Sequence, residues 1–170
     1  MRLSRTRMQC PLGSLEIVAS TAGLCMVEFA AHAERYLRII ATRYGEVEIA
    51  DGEDPHGAVP ALTDYFAGDL RAIDRLPADA PGTPFQRAVW TELRRIPAGS
   101  TISYQQLAGR LGRPTATRAV GAANGQNPVG IVVPCHRVIG ANGTLTGYSG
   151  GIDRKRWLLA HEGVITARLV

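Results

Sequence analysis

Residues 77–84 contain three prolines and a glycine within eight positions, a composition typical of a connecting segment. The charge changes sign across this segment. Residues 1–80 carry eight arginines and twelve carboxylates, whereas residues 81–170 carry ten arginines, one lysine and three carboxylates. Because composition and charge change at the same place, we expect two domains, residues 1–80 and residues 81–170.

Length and apolar content exclude several classes of protein. The chain has 170 residues, 45% of them apolar, so neither a disordered tail nor a small disulfide scaffold is expected. The positively charged N-terminus is not followed by an apolar run, and a stretch of about 18 apolar residues occurs nowhere. We therefore expect a protein that is not secreted, does not span a membrane and has no membrane partner.

The three cysteines, Cys10, Cys25 and Cys135, are odd in number and far apart. This spacing argues against a disulfide framework and favours a reducing, cytoplasmic setting. The sequence has no Cys-x-x-Cys or His-x-x-x-His pair, so spacing predicts no zinc site. Cys10 and Cys25 lie in apolar surroundings and are predicted to be small core residues.

Positive charge is concentrated in the second half of the chain. Sixty consecutive residues between Glu92 and Asp153 lack an acidic side chain, and six arginines lie among them. A polyanion such as nucleic acid is the natural partner of such a segment. The alternative is a solvated basic face in a chain that prefers arginine, since Lys155 is its only lysine.

The first half is predicted to form a small α+β unit with little visible chemistry. Alternation over residues 12–19, a turn at 21–23 and an apolar run over 24–29 predict a hairpin. The elements expected next are a helix over residues 32–44 ended by Gly45, a short strand around 47–49 and a small helix that ends at Gly68.

Two capping boxes mark helix starts in the second half. Thr83 with Gln86 opens one helix, which has a proline at its first position, and Ser103 with Gln106 opens another. A third helix over residues 115–124 is expected to end at the glycine that follows. Two short helices joined by a glycine-containing turn are typical of a helix-turn-helix, although any helical hairpin has a similar pattern.

The third of these helices combines tiny side chains with one long charged side chain, Arg118. Tiny residues let a helix backbone approach another surface closely. A DNA surface and a neighbouring helix both fit this property, and the positive charge of the segment favours DNA. The tiny residues are Ala116, Ala119, Gly121, Ala122 and Ala123.

A candidate nucleophile follows this helix. Residues 127–133 predict a turn and a short buried strand that ends at Pro134, and Cys135, His136 and Arg137 come next. The thiolate is the reactive form of cysteine, and a neighbouring imidazole or cation promotes its formation. Adjacent side chains of a strand point to opposite faces, so the thiol and the imidazole meet only if the chain bends or a water bridges them. A buried, inert cysteine is the alternative.

A glycine-rich loop and a closing helix complete the candidate site. Residues 139–151 contain five glycines, so backbone amides there can approach a ligand. A helix is expected over residues 154–162. Glu162 is the only carboxylate after Asp153 and is therefore the obvious acid to orient His136, although a solvated glutamate at a helix end is the alternative.

Seven short motifs give the chain a family resemblance. In order and spacing they resemble those of the O6-alkylguanine-DNA alkyltransferases, also called methylated-DNA-protein-cysteine methyltransferases. The resemblance is close over residues 85–163 and looser over the hairpin at residues 11–29, and its most specific part is Pro-Cys-His-Arg with the upstream Asn-Pro. The motifs are Phe85–Trp90, Ser103–Tyr104, Arg118–Gly121, Asn127–Pro128, Pro134–Val138, Tyr148–Gly151 and Trp157–Glu162.

The resemblance implies an α+β fold in two parts. The first half is similar to the ribonuclease-H-like N-terminal domain of that family, and the second half to its mainly helical C-terminal domain of winged helix-turn-helix type. Some relatives carry a structural zinc ion in the first domain. Cys10, Cys25, His32 and His56 do not fall on that ligand pattern, so no metal is expected.

Catalytic roles for four residues are implied in the same way. Cys135 matches the cysteine that accepts the alkyl group from O6 of guanine. His136 matches the histidine that acts as a base through a water, and Glu162 matches the glutamate that orients it. Asn127 matches the asparagine that holds the turn and completes the hydrogen-bond network.

The resemblance also implies how DNA is bound. Tyr104 matches the tyrosine that helps to rotate the damaged nucleotide out of the duplex, and Arg118 matches the arginine that fills the vacated place. The recognition helix of the family enters the minor groove, which suits the small Ala119, Ala122 and Ala123. The substrate pocket is implied to contain Tyr104, Val138, Tyr148 and Ser149.

The implied function is DNA repair by a protein that is consumed in the reaction. Its substrates would be O6-alkylguanine and O4-alkylthymine in double-stranded DNA, with no cofactor. Alkyl transfer to sulfur gives a thioether, which water does not readily hydrolyse, so each molecule would act once, as a monomer. Two alternatives stay open: a helix-turn-helix DNA-binding module in which Cys135 is structural, and a cysteine hydrolase. Cooperation along DNA stays open as well.

Overall fold

The described part of the chain forms two compact units. A computed structural model of the protein describes residues 1–164. The first unit consists of Met1–Gly82 together with Pro128–Val132, and the second begins at Thr83, omits that short segment and continues from Val133. Residues 165–170, at the end of the expected second domain, lie outside the described residues.

A four-stranded sheet is the framework of the first unit. The strands are β1 (Arg2–Cys10), β2 (Gly13–Ala19), β3 (Leu24–Phe29) and β4 (Glu48–Asp51). Their order is β3-β2-β1-β4, with β4 parallel to β1 and the other neighbours antiparallel. The expected hairpin is confirmed as β2 and β3, and the expected short strand is confirmed as β4.

Strand β1 is not predicted by the sequence analysis, because its arginines obscure the apolar alternation of a strand. Leu3 is buried in the core of the unit. The guanidinium of Arg5 binds the carboxylate of Asp51 at 2.6 Å, and that of Arg7 binds Glu16 at 3.0 Å. Carboxylates on both neighbouring strands thus provide partners for the arginines of a central strand.

Two helices belong to the first unit. Helix α1 (Ala33–Tyr44) ends as expected at Gly45, whose φ of 75° lies in the left-handed region, and α2 (Ala58–Phe66) matches the expected small helix. Cys25 is a core residue as expected, whereas Cys10 is only half-buried. The core contains Leu3, Val18, Cys25, Met26, Ala33, Tyr36 and Ile40.

Two segments from distant parts of the chain cover the outer edge of β3. Near its start, the N–H of Leu24 donates to the carbonyl of Pro77 at 2.8 Å. In its middle, the N–H of Val27 donates to the carbonyl of Pro128 at 3.0 Å, and the carbonyl of Val27 accepts from the N–H of Gly130 at 2.9 Å. Part of the proline-rich segment therefore packs against the sheet.

The strand expected within residues 127–133 is wrong. Only Val129 forms a bridge to β3, and the chain then turns, with Ile131 at a positive φ of 69°. An apolar run predicts that the residues are buried. Here they are buried, but their backbone is not extended as it would be in a strand. A Cβ at Gly130 would lie 3.1 Å from the carbonyl oxygen of Val27, so a glycine allows the close approach.

Helices form most of the second unit. Both expected capping boxes are confirmed: the hydroxyls of Thr83 and Ser103 accept from the backbone N–H three residues ahead, whose glutamine side chain accepts in return. Gly125 lies inside the last turn of its helix rather than capping it. The elements are α3 (Pro84–Leu93), β5 (Ile102–Ser103), α4 (Tyr104–Arg110), α5 (Thr117–Gly125), β6 (Val138–Ile139) and α6 (Ile152–His161).

The fold is α+β, with a sheet unit followed by a mainly helical unit, as expected. Strands β5 and β6 pair in parallel, and α4 and α5 form the expected helix pair. No helix among residues 1–164 is long and apolar enough to cross a membrane.

Candidate active site

The candidate nucleophile lies in a tight turn. Cys135–Arg137 form one turn of 3₁₀ helix, in which the N–H of Arg137 donates to the carbonyl of Pro134 at 3.0 Å. Cys135 is 5% exposed and His136 is fully buried. Because the chain bends here, the thiol and the imidazole are not held on opposite faces as they would be in a strand.

The imidazole of His136 binds the carboxylate of Glu162. The distance from Nε2 to Oε1 is 2.6 Å, and both side chains are fully buried. A carboxylate can only accept, so Nε2 carries the proton and Nδ1 keeps a free lone pair. Nδ1 is buried without a hydrogen-bond partner among the described residues. Burial lowers the pKa of His136 despite the nearby carboxylate, so the imidazole is neutral at neutral pH.

A second cation fixes the same carboxylate. The guanidinium of Arg137 donates through Nε to Oε1 of Glu162 at 2.9 Å and through Nη2 to Oε2 at 2.7 Å, while its Nη1 donates to the carbonyl of Ile96 at 2.6 Å. Burial alone would raise the pKa of Glu162, but the hydrogen bonds from Arg137 and His136 outweigh it and lower the pKa to about 2. Glu162 is therefore an anion at neutral pH.

Asn127 lies two residues after α5 and is buried. Its Nδ2 donates to the carbonyl of Val133 at 2.8 Å, which ties it to the segment that leads to Cys135. Nearby, Nδ2 of Asn124 donates to the carbonyl of Cys135 at 3.4 Å. The sequence carries no signal that marks Asn124 as a site residue, because it lies at the end of a predicted helix.

Tyr104 and Lys155 share an acceptor in the glycine-rich loop. The carbonyl of Thr146 accepts from the hydroxyl of Tyr104 at 3.1 Å and from Nζ of Lys155 at 2.9 Å, and Lys155 also donates to the carbonyl of Val138 at 2.6 Å. Burial raises the pKa of Tyr104, although the bond to Thr146 opposes it. The loop is thus bound to α4 and α6.

Lys155 is missed as a site residue by the sequence analysis. It is fully buried, and burial lowers its pKa to about 8 against the opposing effect of a negative charge on Cys135. The one sequence feature that could have singled it out is that it is the only lysine in the chain. Arg137 is likewise buried. Its place beside the nucleophile predicts a cation that promotes formation of the thiolate, whereas its guanidinium binds Glu162.

The remaining expected pocket residues differ in their exposure. Val138 is fully buried directly after the nucleophile turn, Tyr148 is half-buried and Ser149 is exposed. The side chain of Tyr104, one of the expected pocket residues, binds the glycine-rich loop through the carbonyl of Thr146. Within residues 1–164 no three His, Cys, Asp or Glu side chains are grouped so that they could hold a metal ion.

The exposed face of α5 contains Arg118, Ala119 and Ala122. Ala123 is only 2% exposed, and its carbonyl accepts from Nε1 of Trp90 at 2.8 Å. The expectation that Ala123 belongs to the surface with the other alanines does not fit this burial. Val120, Ala123 and Asn124 form the buried stripe of the helix, a spacing of three and four residues that the sequence could have indicated.

Three exposed arginines accompany this helix pair. Arg110, Arg113 and Arg118 form no ion pair within the described part of the chain. The guanidinium of Arg113 lies 5.4 Å above the ring of Phe85. Cations without carboxylate partners leave this surface positively charged, as the acid-free stretch of sequence predicts.

Comparison with known proteins identifies the family. Residues 3–80 match the model of the 6-O-methylguanine DNA methyltransferase ribonuclease-like domain, and residues 84–164 match that of the 6-O-methylguanine DNA methyltransferase DNA binding domain. The methylated-DNA–protein-cysteine methyltransferase of Shigella flexneri is 49% identical over 168 residues, which cover 97% of this chain and 98% of that protein. The chain belongs to the 6-O-methylguanine DNA methyltransferase family. The family expected from the motifs is confirmed.

Solved structures of 6-O-methylguanine DNA methyltransferases share the fold. The crystal structure of Mycobacterium tuberculosis O6-methylguanine methyltransferase is 38% identical, with a TM-score of 0.78 over 98% of this chain and 97% of its own. Mycobacterium tuberculosis OGT in complex with DNA has the same identity and TM-score. The methyltransferase from Pyrococcus kodakaraensis is 27% identical with a TM-score of 0.66, covering 95% of this chain and 99% of its own.

Proposed function

We propose that this protein repairs DNA by transferring an alkyl group from O6 of guanine to the sulfur of Cys135. The observation that carries the proposal is the buried turn in which Cys135 precedes a neutral His136 bound to an anionic Glu162. The relatives named methylated-DNA–protein-cysteine methyltransferase support the same reaction.

The proposed reaction begins with activation of the thiol. Nδ1 of His136 takes the proton of Cys135 through a bridging water, and the fixed anion of Glu162 stabilises the imidazolium that results. The thiolate then attacks the alkyl carbon. A carbon–sulfur bond forms as the carbon–O6 bond breaks, and its electron pair leaves with the guanine, which is protonated afterwards. The thioether does not hydrolyse, so each molecule reacts once.

Departure of the guanine requires stabilisation of the negative charge that develops on the base. Tyr104 of α4 is the proposed donor: its hydroxyl, which here donates to the carbonyl of Thr146, turns its one proton to the base when the base is bound. We assign Val138, Tyr148 and Ser149 to the pocket that holds the alkylated base. O4-alkylthymine, which presents an alkyl carbon on a similar exocyclic oxygen, is the proposed second substrate.

DNA binding is assigned to the pair of helices α4 and α5. The reacting base must leave the duplex, which costs a few kcal/mol, and insertion of Arg118 offsets part of this cost. Arg118 is exposed and has no ion pair among the described residues, as such a role requires. Ala119 and Ala122 form the small surface that approaches the minor groove. Ala123 is left out because it is buried.

The two predicted domains are assigned different tasks. Residues 81–170 hold the proposed alkyl acceptor and the DNA-binding helices, and residues 1–80 are assigned a structural role because none of the proposed catalytic residues lies in them. None of the three cysteines, all of which are among the described residues, forms a disulfide, which supports a cytoplasmic protein. We propose that it acts as a monomer and needs no cofactor.

Intact-mass measurement tests the proposed function directly. After incubation with a duplex containing O6-methylguanine, the protein is expected to gain the mass of one methyl group, located on Cys135 by peptide mapping. Cys135→Ser serves as the control and gains nothing. Absence of the mass gain in the wild type contradicts the proposal and favours a DNA-binding module with a structural cysteine. A mass gain in Cys135→Ser contradicts the assignment of Cys135 as the acceptor.

A further inference from the structure

Asn124 is a buried polar residue that the proposed reaction does not use. It lies in the last turn of α5, 2% exposed, on the same face as Val120 and Ala123. Asparagine is a poor helix former, and its amide loses hydration on burial. An apolar side chain would therefore suit the helix and the core better, so the amide needs another explanation.

The amide of Asn124 points at the nucleophile turn. Its Nδ2 donates to the carbonyl of Cys135 at 3.4 Å, and Nδ2 of Asn127 donates to the carbonyl of Val133 at 2.8 Å. These two carbonyls lie on either side of Pro134. Two amides from one end of α5 therefore hold the backbone before and at the nucleophile.

The end of α5 is itself fixed to α3. Nε1 of Trp90 donates to the carbonyl of Ala123 at 2.8 Å, and Nε2 of Gln86 donates to Oε1 of Gln126 at 2.8 Å. Hydrogen bonds to α3 therefore hold the end of α5, which contains Asn124, and the residue Gln126 that precedes Asn127. Arg118 lies on the same helix.

Stability does not explain the amide of Asn124. The carbonyl of Cys135 already accepts from the N–H of Val138, so it keeps a donor without Asn124. Oδ1 of Asn124 is buried and has no hydrogen-bond partner among the described residues. Replacing the amide by an apolar group leaves no new unpaired carbonyl and removes a buried unpaired oxygen, a change that is close to neutral or stabilising.

We propose that Asn124 is a positioning residue that fixes the carbonyl of Cys135 to α5, so that the orientation of the nucleophile depends on the helix carrying Arg118. The proposal rests on the proposed function for the nature of the reaction. Its claim about the orientation of the thiol does not require DNA. A residue that only fills the core would affect stability and reactivity together, whereas a positioning residue separates them.

The test compares Asn124→Leu with Val120→Ala, a substitution on the same buried face that removes no hydrogen bond to the turn. Single-turnover transfer from free O6-benzylguanine and the Tm are measured for both variants. For Asn124→Leu we expect a maximal transfer rate about ten to a hundredfold lower, an unchanged half-saturating concentration, and an unchanged or higher Tm. Val120→Ala is expected to lower the Tm by several degrees and to keep the wild-type rate.

Two outcomes overturn the positioning role. One is a rate for Asn124→Leu within about twofold of the wild type, and the other is a rate loss accompanied by a fall in Tm like that of Val120→Ala. Asn124→Met provides a second apolar variant should Asn124→Leu not fold, and the same two readings apply to it.

A further reagent separates this proposal from the proposed function. The rate at which iodoacetamide modifies Cys135, located by peptide mapping, reports the state of the thiol without DNA or guanine. A wild type that takes no methyl group from the O6-methylguanine duplex contradicts the proposed function. The iodoacetamide rates then decide the role of Asn124: different rates in wild type and Asn124→Leu support it, and equal rates overturn it.

Discussion

The carboxylate of Glu162 accepts from three N–H groups, one from His136 and two from Arg137. The imidazole needs a fixed anion only when it becomes charged, and the guanidinium ensures that the anion is present before that moment. Arg137 thus keeps Glu162 deprotonated and oriented, while Glu162 selects the tautomer of His136. The three residues act as a unit, in which removal of one member disturbs the other two.

Replacing Glu162 by glutamine removes the anion and keeps the shape of the side chain. We expect transfer to slow by about a hundredfold or more, because the imidazolium loses its stabilising charge. Single-turnover rates with free O6-benzylguanine measure this effect, and duplex affinity should stay unchanged. Asp153→Asn on the same helix, whose carboxylate is almost fully exposed, is the matched control and should retain the wild-type rate. A loss of DNA binding in Glu162→Gln would instead indicate a general structural role.

Lys155 makes the free energy of unfolding depend on alkaline pH. Its pKa is about 8 in the folded protein, against an ordinary value of 10.5, so between these values the unfolded chain holds a proton that the folded protein has released. The contribution of this group to stability therefore rises as the pH increases from about 8 to 10.5, by roughly 3 kcal/mol in total. The ammonium disfavours folding at neutral pH, even though it donates to two carbonyls.

Urea unfolding at several pH values tests this dependence through Lys155→Arg, whose side chain stays protonated throughout. The stability of the wild type relative to Lys155→Arg should increase between pH 8 and pH 10. Comparing the two proteins cancels the titration of other groups. Parallel stability curves over this interval would show that Lys155 keeps an ordinary pKa.

At the level of elements, α5 combines two tasks on opposite faces. Its exposed face has Arg118 with small neighbours, and its buried stripe ends in Asn124, which contacts the nucleophile turn. Under the two proposals, a nine-residue helix thus links the DNA-binding surface to the nucleophile turn. Displacement of its last turn is then expected to affect transfer as well as binding.

Arg118→Ala separates the extrusion of the base from the chemistry. In duplex DNA the transfer rate should fall about tenfold or more, because the extruded base loses its replacement in the stack, while the rate with free O6-benzylguanine should change by less than about twofold. Arg110→Ala is the charge-matched control: its effect on the duplex reaction should disappear at low salt, and that of Arg118→Ala should persist. Equal losses on duplex and free base would contradict a role in extrusion.

Elements with local signals could be predicted from the sequence, and those that depend on partners could not. Thr83 and Ser103 mark helix starts through contacts with residues three positions away, so short-range chemistry identifies them. Strand β1 looks too polar for a strand because it contains several arginines. It forms nevertheless, because carboxylates on the neighbouring strands bind these arginines. The segment around Ile131 has the sequence pattern of a strand but forms a turn, because an apolar run does not specify the backbone conformation.

The candidate site follows the same division. Cys135 and His136 belong to one short motif and Asn127 to another just upstream, and the pairing of Glu162 with His136 could be inferred because acids are scarce in that half. The burial of Lys155 and Arg137 could not be predicted, since the sequence does not distinguish a buried lysine or arginine from a solvated one. Their positions depend on backbone carbonyls, such as those of Thr146 and Ile96, that the sequence does not mark.

Over the whole molecule, charge is divided between the two halves of the chain. Residues 81–170 have an excess of eight positive charges, and residues 1–80 an excess of four negative charges. Phosphate contacts release counterions, so DNA affinity should fall steeply with salt. The second half alone supplies the cations for this binding under the proposed function.

The salt dependence of duplex affinity tests this division. Arg113→Gln in the second unit should reduce the slope of log K against log salt by about one, because one phosphate contact is lost. Arg75→Gln, an exposed arginine of the first unit, is the matched control and should leave the slope unchanged. Equal reductions in both variants would place DNA against both halves of the chain.

The segment Pro128–Val132 has a consequence for synthesis on the ribosome. The first 82 residues emerge first, but the N–H and carbonyl of Val27 have no partners until Pro128 and Gly130 have been made. At roughly 5 to 20 residues per second, the edge of β3 stays partly uncovered for several seconds. The half of the protein that is translated first is therefore completed late, and a nascent chain is most exposed to strand-edge aggregation during that interval.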